Sequence, residues 1–159
     1  MLEEATEEDL MMLREQLGRP VRGLIGIAAR TSSGEPLVVA TRPRLEDGTP
    51  FPTFYYLTHP AATAVFSRLE AEGKMREYEA RLNEDAELGK IYTSAHEAYL
   101  KDRSEYGSPD EIDGISAGGM PTRVKCLHAL AAHALAVGEG VNPVGDFAVR
   151  DALAVGWLR

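Results

Sequence analysis

The stretch Thr53-Phe54-Tyr55-Tyr56-Leu57-Thr58, followed at once by His59-Pro60, divides the chain into two kinds of pattern. It is apolar on both alternating faces, as a strand covered on each side would be. Pro60 then suits the first position of a helix, with Val65, Phe66 and Leu69 on one side until Gly73. Upstream the pattern stays extended. Val21 to Arg30 and Pro36 to Arg42 are rich in small and β-branched residues, and Thr31-Ser32-Ser33-Gly34 between them reads as a hairpin turn. Leu45 to Pro52, with Asp47-Gly48 and two prolines, is a loop. A short helix precedes the sheet: Thr6 and Asp9 have capping-box spacing, Leu10, Met11, Leu13 and Leu17 recur at helical intervals, and Gly18 ends the run.

Downstream the pattern is helical. Met75 to Leu82 continues it, and Asn83 or Asp85 can cap a longer helix through Ile91, Tyr92, His96, Tyr99 and Leu100, stopped by Tyr106-Gly107-Ser108-Pro109. Asp110 to Gly119 reads as a loop, Pro121 to Val137 as the most apolar helix, and Asp146 toward Trp157 as a final short one, with Asn142-Pro143 and Gly145-Asp146 as turn and cap. The expected fold is α+β, one domain over residues 1–159: a small antiparallel sheet of about three strands in the N-terminal third, then about five helices.

At 159 residues and 44% apolar composition the chain can bury one core. Residues 1–17 carry Glu3, Glu4, Glu7, Glu8 and Asp9 and lack the basic start and apolar middle of a secretory signal, and no stretch reaches the roughly 18 apolar residues that span a bilayer. The single cysteine, Cys126, closes no internal disulfide, so a cytoplasmic protein without a membrane partner is expected. A net charge of -8 argues against nucleic acid. The charge is uneven: residues 19–44 hold Arg19, Arg22, Arg30, Arg42 and Arg44 against Glu35 alone, while residues 45–115 hold fifteen acids and seven bases. Either the two regions neutralise each other or a basic face exists.

The unusual chemistry lies in Ile115-Ser116-Ala117-Gly118-Gly119-Met120-Pro121 and the helix expected after it. A helix start offers free N–H groups to an anion, and Gly118 and Gly119 would let a ligand come close. Arg123 and Lys125 fall in the first turns of that helix, where its dipole disfavours bases. A bound phosphate or carboxylate would compensate, and so would Asp110, Glu111 and Asp113 folding back. On a helix from Pro121, Cys126 and His133 would be about 10 Å apart along the axis. Cys126 and His128 would point roughly 200° apart, and His128 and His133 roughly 140°, so none of these pairs chelates a metal locally. A metal would need distant partners such as His59 or His96, with His59 and Cys126 as the candidate pair. Cys126 as nucleophile, His128 as a hydrogen-bonding or proton-transfer group and His96 beside Glu97 as an acid–base pair are the catalytic candidates, although Cys126 would lie past the first turn. Ser116 has no histidine at a recognised elbow spacing.

Gly48 through Thr58, Ile115 through His133 and Val141-Asn142-Pro143-Val144-Gly145-Asp146, with Leu17-Gly18-Arg19-Pro20 and Ser67-Arg68-Leu69-Glu70, resemble the actinobacterial family catalogued as domain of unknown function five-hundred-and-one. The resemblance names no activity and implies a cytoplasmic role. It also implies that many relatives carry cysteines where this chain has Thr31, Ser33 and His59, besides Cys126. Four such thiols would suggest zinc, and this chain departs at three of them; if the four positions meet, His59 lies near Cys126.

Two functions follow as expectations. One is a small-molecule site, possible as an enzyme, in which Gly118, Gly119, Arg123, Lys125 and His128 hold an anionic ligand, its cofactor unknown. The other is a noncatalytic module whose basic face from Arg22 to Arg44 docks an acidic protein, such as a cell-division partner.

Overall fold

A computed structural model describes residues 2–159. Helix α1 (Glu7–Leu17) opens on the expected capping box, with Thr6 and Asp9 exchanging backbone-to-side-chain bonds, and closes on Gly18. Strands β1 (Leu24–Arg30), β2 (Pro36–Thr41) and β3 (Tyr55–Leu57) form an antiparallel sheet in the order β1-β2-β3. Helices α2 (Pro60–Ala71), α3 (Lys74–Glu84), α4 (Ala86–Ser104), α5 (Leu127–Val137) and α6 (Pro143–Ala154) follow, so five α-helices succeed the sheet as the pattern predicts. The class is α+β.

Strand β2 is buried throughout because both faces of the sheet are covered. On one face Leu13 of α1 packs with Ile27 and Val39, joined by Tyr56. On the other, Val38, Ala40, Tyr55 and Leu57 enter the main core with Leu127, Leu130 and Ala134 of α5 and the inner residues of α2, α4 and α6. This two-sided cover explains why Thr53 to Thr58 is apolar at successive positions.

Polar groups lock the helices to the sheet. The Tyr99 hydroxyl accepts from the N–H groups of Phe54 at 2.6 Å and Tyr55 at 3.2 Å, and the Tyr55 hydroxyl donates to Asp102 at 2.7 Å. Arg103, although buried, meets no carboxylate among the described residues within ion-pair distance; its guanidinium nitrogens donate to the carbonyls of Pro52, Ile112 and Ile115 and thereby tie two loops to α4. His133 is fully buried, its ring stacked on Tyr55 at 5.6 Å and its Nδ1 facing Asn142 Nδ2 at 3.1 Å. The neutral ring therefore accepts at Nδ1, consistent with burial pulling its pKa down to about 4.

One boundary differs in a way that matters. The helix expected from Pro121 begins only at Leu127, and Gly118 to Cys126 is a folded loop. Its own backbone closes it: Arg123 N–H donates to Gly119 O at 2.8 Å and Lys125 N–H to Gly118 O at 2.7 Å. Two carboxylates from other helices take further donors. Glu79 accepts from Val124 N–H at 2.9 Å and Glu70 from Leu127 N–H at 2.8 Å. Those distant acids satisfy groups that extra helical turns would otherwise have used.

Candidate functional site

The loop's glycines are filled by the protein itself. A Cβ on Gly118 would lie 2.6 Å from Leu130 Cγ, and one on Gly119 2.6 Å from the Arg123 carbonyl oxygen, both at positive φ. They let the loop close on itself, so the space a side chain would take at each is filled by the protein's own atoms. Arg123 donates through Nε to Glu79 at 2.7 Å, so its counter-charge comes from α3. Of the acidic loop, Glu111 instead pairs with Arg44 at 2.7 Å. Arg22 pairs with Asp47, and Arg30 with Asp9 and Glu3, so three of the arginines expected on a basic face have internal acids.

On the other side of the α5 start is a cleft of about 560 Å³. Cys126, His128 and Ala129 line it together with residues of β3, the end of α1 and the start of α2. Gly118, Gly119, Arg123 and Lys125 are not among its lining residues. Because Cys126 is the N-cap of α5 and not a mid-helix residue, the roughly 200° separation from His128 does not apply. Donor atoms of Glu70, Cys126 and His128 all lie within 4.8 Å of one another.

Helix α2 supplies the partners of His128. Its Nδ1 faces Glu70 Oε2 at 3.2 Å, and its Nε2 faces the Thr63 carbonyl and the Ser67 hydroxyl, each at 3.1 Å. A carboxylate and a carbonyl can only accept, so both ring nitrogens are placed to donate and the ring is held as imidazolium. Its pKa is pushed up to about 9, chiefly by the Cys126 thiol, with burial opposing and the Glu70 carboxylate assisting. Burial pushes the Cys126 thiol up, but His128 and the Ala129 N–H beside it outweigh that, and the net shift is downward. The helix N-terminus acts in the same sense.

Thr63, Ser67 and Glu70 lie at i, i+4 and i+7, a polar stripe along one side of the helix. That spacing was the available signal for the histidine's cradle; it says nothing of which helix the stripe meets. Among the described residues Glu70, Cys126 and His128 are also the set of His, Cys, Asp and Glu close enough to share a metal ion. With both imidazole nitrogens facing acceptors, the arrangement as it stands favours a proton there.

Residues 27–150 match the family described as Protein of unknown function (DUF501). The chain belongs to that family. No curated protein and no solved structure matches this DUF501 chain. Three of the four positions singled out by the family resemblance do gather, around Glu35: Thr31 Oγ1 is 3.0 Å from Ser33 Oγ, and Ser33 Oγ and His59 Nε2 each lie 3.3 Å from Glu35 Oε1. Cys126 has Glu70 and His128 as its potential co-ligands, and His59 is not in that set. His96 Nδ1 lies 2.7 Å from Ser116 Oγ, a contact that linear spacing could not reveal, but Ser116 is 3% exposed and closed to substrate. Asp146 accepts from Gly140 N–H at 2.9 Å and does not line the Cys126 cleft. No helix of the described residues is long and apolar enough to cross a membrane.

Proposed function

We propose that the chain is a thiol-dependent enzyme acting on a small electrophile, with Cys126 as nucleophile, His128 as proton donor and Glu70 as the residue that orients His128. The observation that carries this is the meeting of Cys126, His128 and Glu70 within 4.8 Å at the wall of a 560 Å³ cleft. A thiolate stabilised by a neighbouring imidazolium at a helix N-terminus is the activated form of a cysteine nucleophile. In acyl transfer, Sγ attacks the carbonyl carbon and the leaving group departs with the imidazolium proton. Neutral His128 then takes a proton from water as water attacks the thioester, which frees the thiolate and releases the acid. The His128 backbone N–H, in the first turn of α5, meets no internal acceptor among the described residues and is positioned to serve a developing oxyanion.

This reading keeps the small-molecule site at the start of α5 but moves the ligand from the Gly118 side to the Cys126 side. It needs no anionic substrate, since among the described residues His128 is the only basic side chain lining the cleft and Arg123 is engaged with Glu79. The alternative, an acidic protein on Arg22 to Arg44, would have to displace Asp47, Asp9 with Glu3, and Glu111 from their arginines.

Cys126 is the sole cysteine, so iodoacetamide alkylation reports on it alone. The rate should titrate below the ordinary thiol value of about 8.5, and His128→Ala should move that midpoint upward. p-Nitrophenyl acetate should give a stoichiometric burst that Cys126→Ser abolishes. Alkylation that follows an ordinary thiol and ignores His128→Ala would remove the reading.

A further inference from the structure

The floor of the Cys126 cleft is the outer edge of the sheet. Strand β3 ends the order β1-β2-β3, with Val38 opposite Leu57, Val39 opposite Tyr56 and Ala40 opposite Tyr55. Thr41 N–H donates to Phe54 O at 2.8 Å and Thr58 N–H to Leu37 O at 3.0 Å. Alternate residues of an antiparallel strand turn their backbone groups to the same side, so Phe54, Tyr56 and Thr58 face β2 and Tyr55 and Leu57 face away from it. The Tyr55 N–H is taken by the Tyr99 hydroxyl. The carbonyl of Tyr55 and both backbone groups of Leu57 find no internal partner among the described residues.

Both residues line the same cleft as Cys126. Gln16 and Leu17, at the end of α1, stand on one side of this edge; Pro60 and Thr63 of α2 stand on another. A recessed strand edge with unspent donors and acceptors is complementary to one more extended chain, laid about 4.8 Å away. A second copy of this protein is a poor occupant. Its own β3 edge lies at the bottom of the same slot and has only three residues to offer.

We propose that the substrate is an extended peptide segment that pairs with Tyr55 and Leu57 as an added strand, so that one of its carbonyl carbons is presented to Cys126 Sγ. This rests on the thiol reading of the same site and names its substrate class. The step is an acyl transfer from a peptide bond or a peptidyl ester: the S–C bond forms, the C–N or C–O bond breaks, and the leaving amine or alcohol carries away the His128 proton. Water then hydrolyses the acyl-enzyme.

The test uses a capped tetrapeptide aldehyde of sequence Val-Thr-Val-Ala beside propionaldehyde, each captured reversibly by Cys126 as a thiohemiacetal. Two or three net backbone hydrogen bonds should make the peptide aldehyde bind about tenfold tighter or more. Methylating successive backbone nitrogens of the peptide should remove that gain at alternate positions only, the signature of strand pairing. Equal capture of the two aldehydes, or a loss that does not alternate, overturns the peptide inference while rapid alkylation leaves the thiol reading standing.

The pairing is also read without the thiol, by amide exchange of Leu57 in Cys126→Ser with the corresponding capped peptide amide at millimolar concentration. Slowed exchange that depends on peptide supports the added strand even if alkylation proves ordinary. No slowing overturns it, as does protection that depends on protein concentration alone, which would mean pairing between two copies.

Discussion

Arg123 shows how a sequence anomaly can have an internal cause. Its side chain is 61% exposed and its partner Glu79 26% exposed, so the pair is largely solvated. Arg123→Ala should therefore cost less than about 1 kcal/mol in urea unfolding and leave the alkylation rate of Cys126 unchanged; a large fall in that rate would restore the anion reading. Gly119→Ala should be far worse, because its φ of 99° disfavours any side chain and the new Cβ would meet backbone 2.6 Å away. Equal stability of that variant and wild type by thermal melting would contradict the packing described for the loop. At this scale Cys126 and His128 were legible in the sequence, but their relation was not. The reason is the helix boundary: Pro121 is a good first helical residue, and nothing local reveals that Glu79 and Glu70, from helices forty or more residues earlier, take the Val124 and Leu127 N–H groups. Starting the helix six residues late, at Leu127 and not Pro121, makes Cys126 an N-cap and not a mid-helix residue, and brings together two groups that a continuous helix would hold apart.

Elements whose signals are local were read closely. The capping box of α1, the turn at Thr31 to Gly34 and the Asp85 cap of α4 each lie within a few residues of the structure they make. Thr6→Ala should remove one such signal at a cost of about 1 kcal/mol, measured by urea unfolding. The association of α5 with α6 depends instead on a contact across the fold. Gly145, in the first turn of α6, lies so close to α5 that a Cβ would sit 2.2 Å from the Leu130 carbonyl oxygen and 2.8 Å from the Ala134 Cβ. Backbone cannot yield as a side-chain tip can. Gly145→Ala should force the helices apart and destabilise the protein by about 1–3 kcal/mol or more, and because α5 carries Cys126 and His128 it should also slow alkylation. A variant as stable and reactive as wild type would mean that the α5–α6 spacing is not what holds the site.

For the molecule as a whole, two histidines of opposite character should shape stability against pH. His133 is kept neutral, its pKa drawn down to about 4 by burial, whereas an unfolded histidine titrates near 6.5. Between those values the unfolded chain binds the extra proton, so stability falls as pH drops from about 6.5 toward 4. His128 is the reverse case, pushed up to about 9 chiefly by Cys126. There the folded chain holds the extra proton, so the contribution is complete below about 6.5 and is lost as pH climbs through about 9. Asp9, held well below the usual carboxylate range by Arg30 and Thr6, extends the acid loss to lower pH still. The melting temperature should thus peak near neutrality and decline on both sides. In His128→Ala the alkaline decline should become shallower while the acid one persists. If the two proteins lose stability in parallel above neutrality, the imidazolium is not anchored by Cys126 and Glu70 in the folded state, and the charge pairing on which the nucleophile depends is absent.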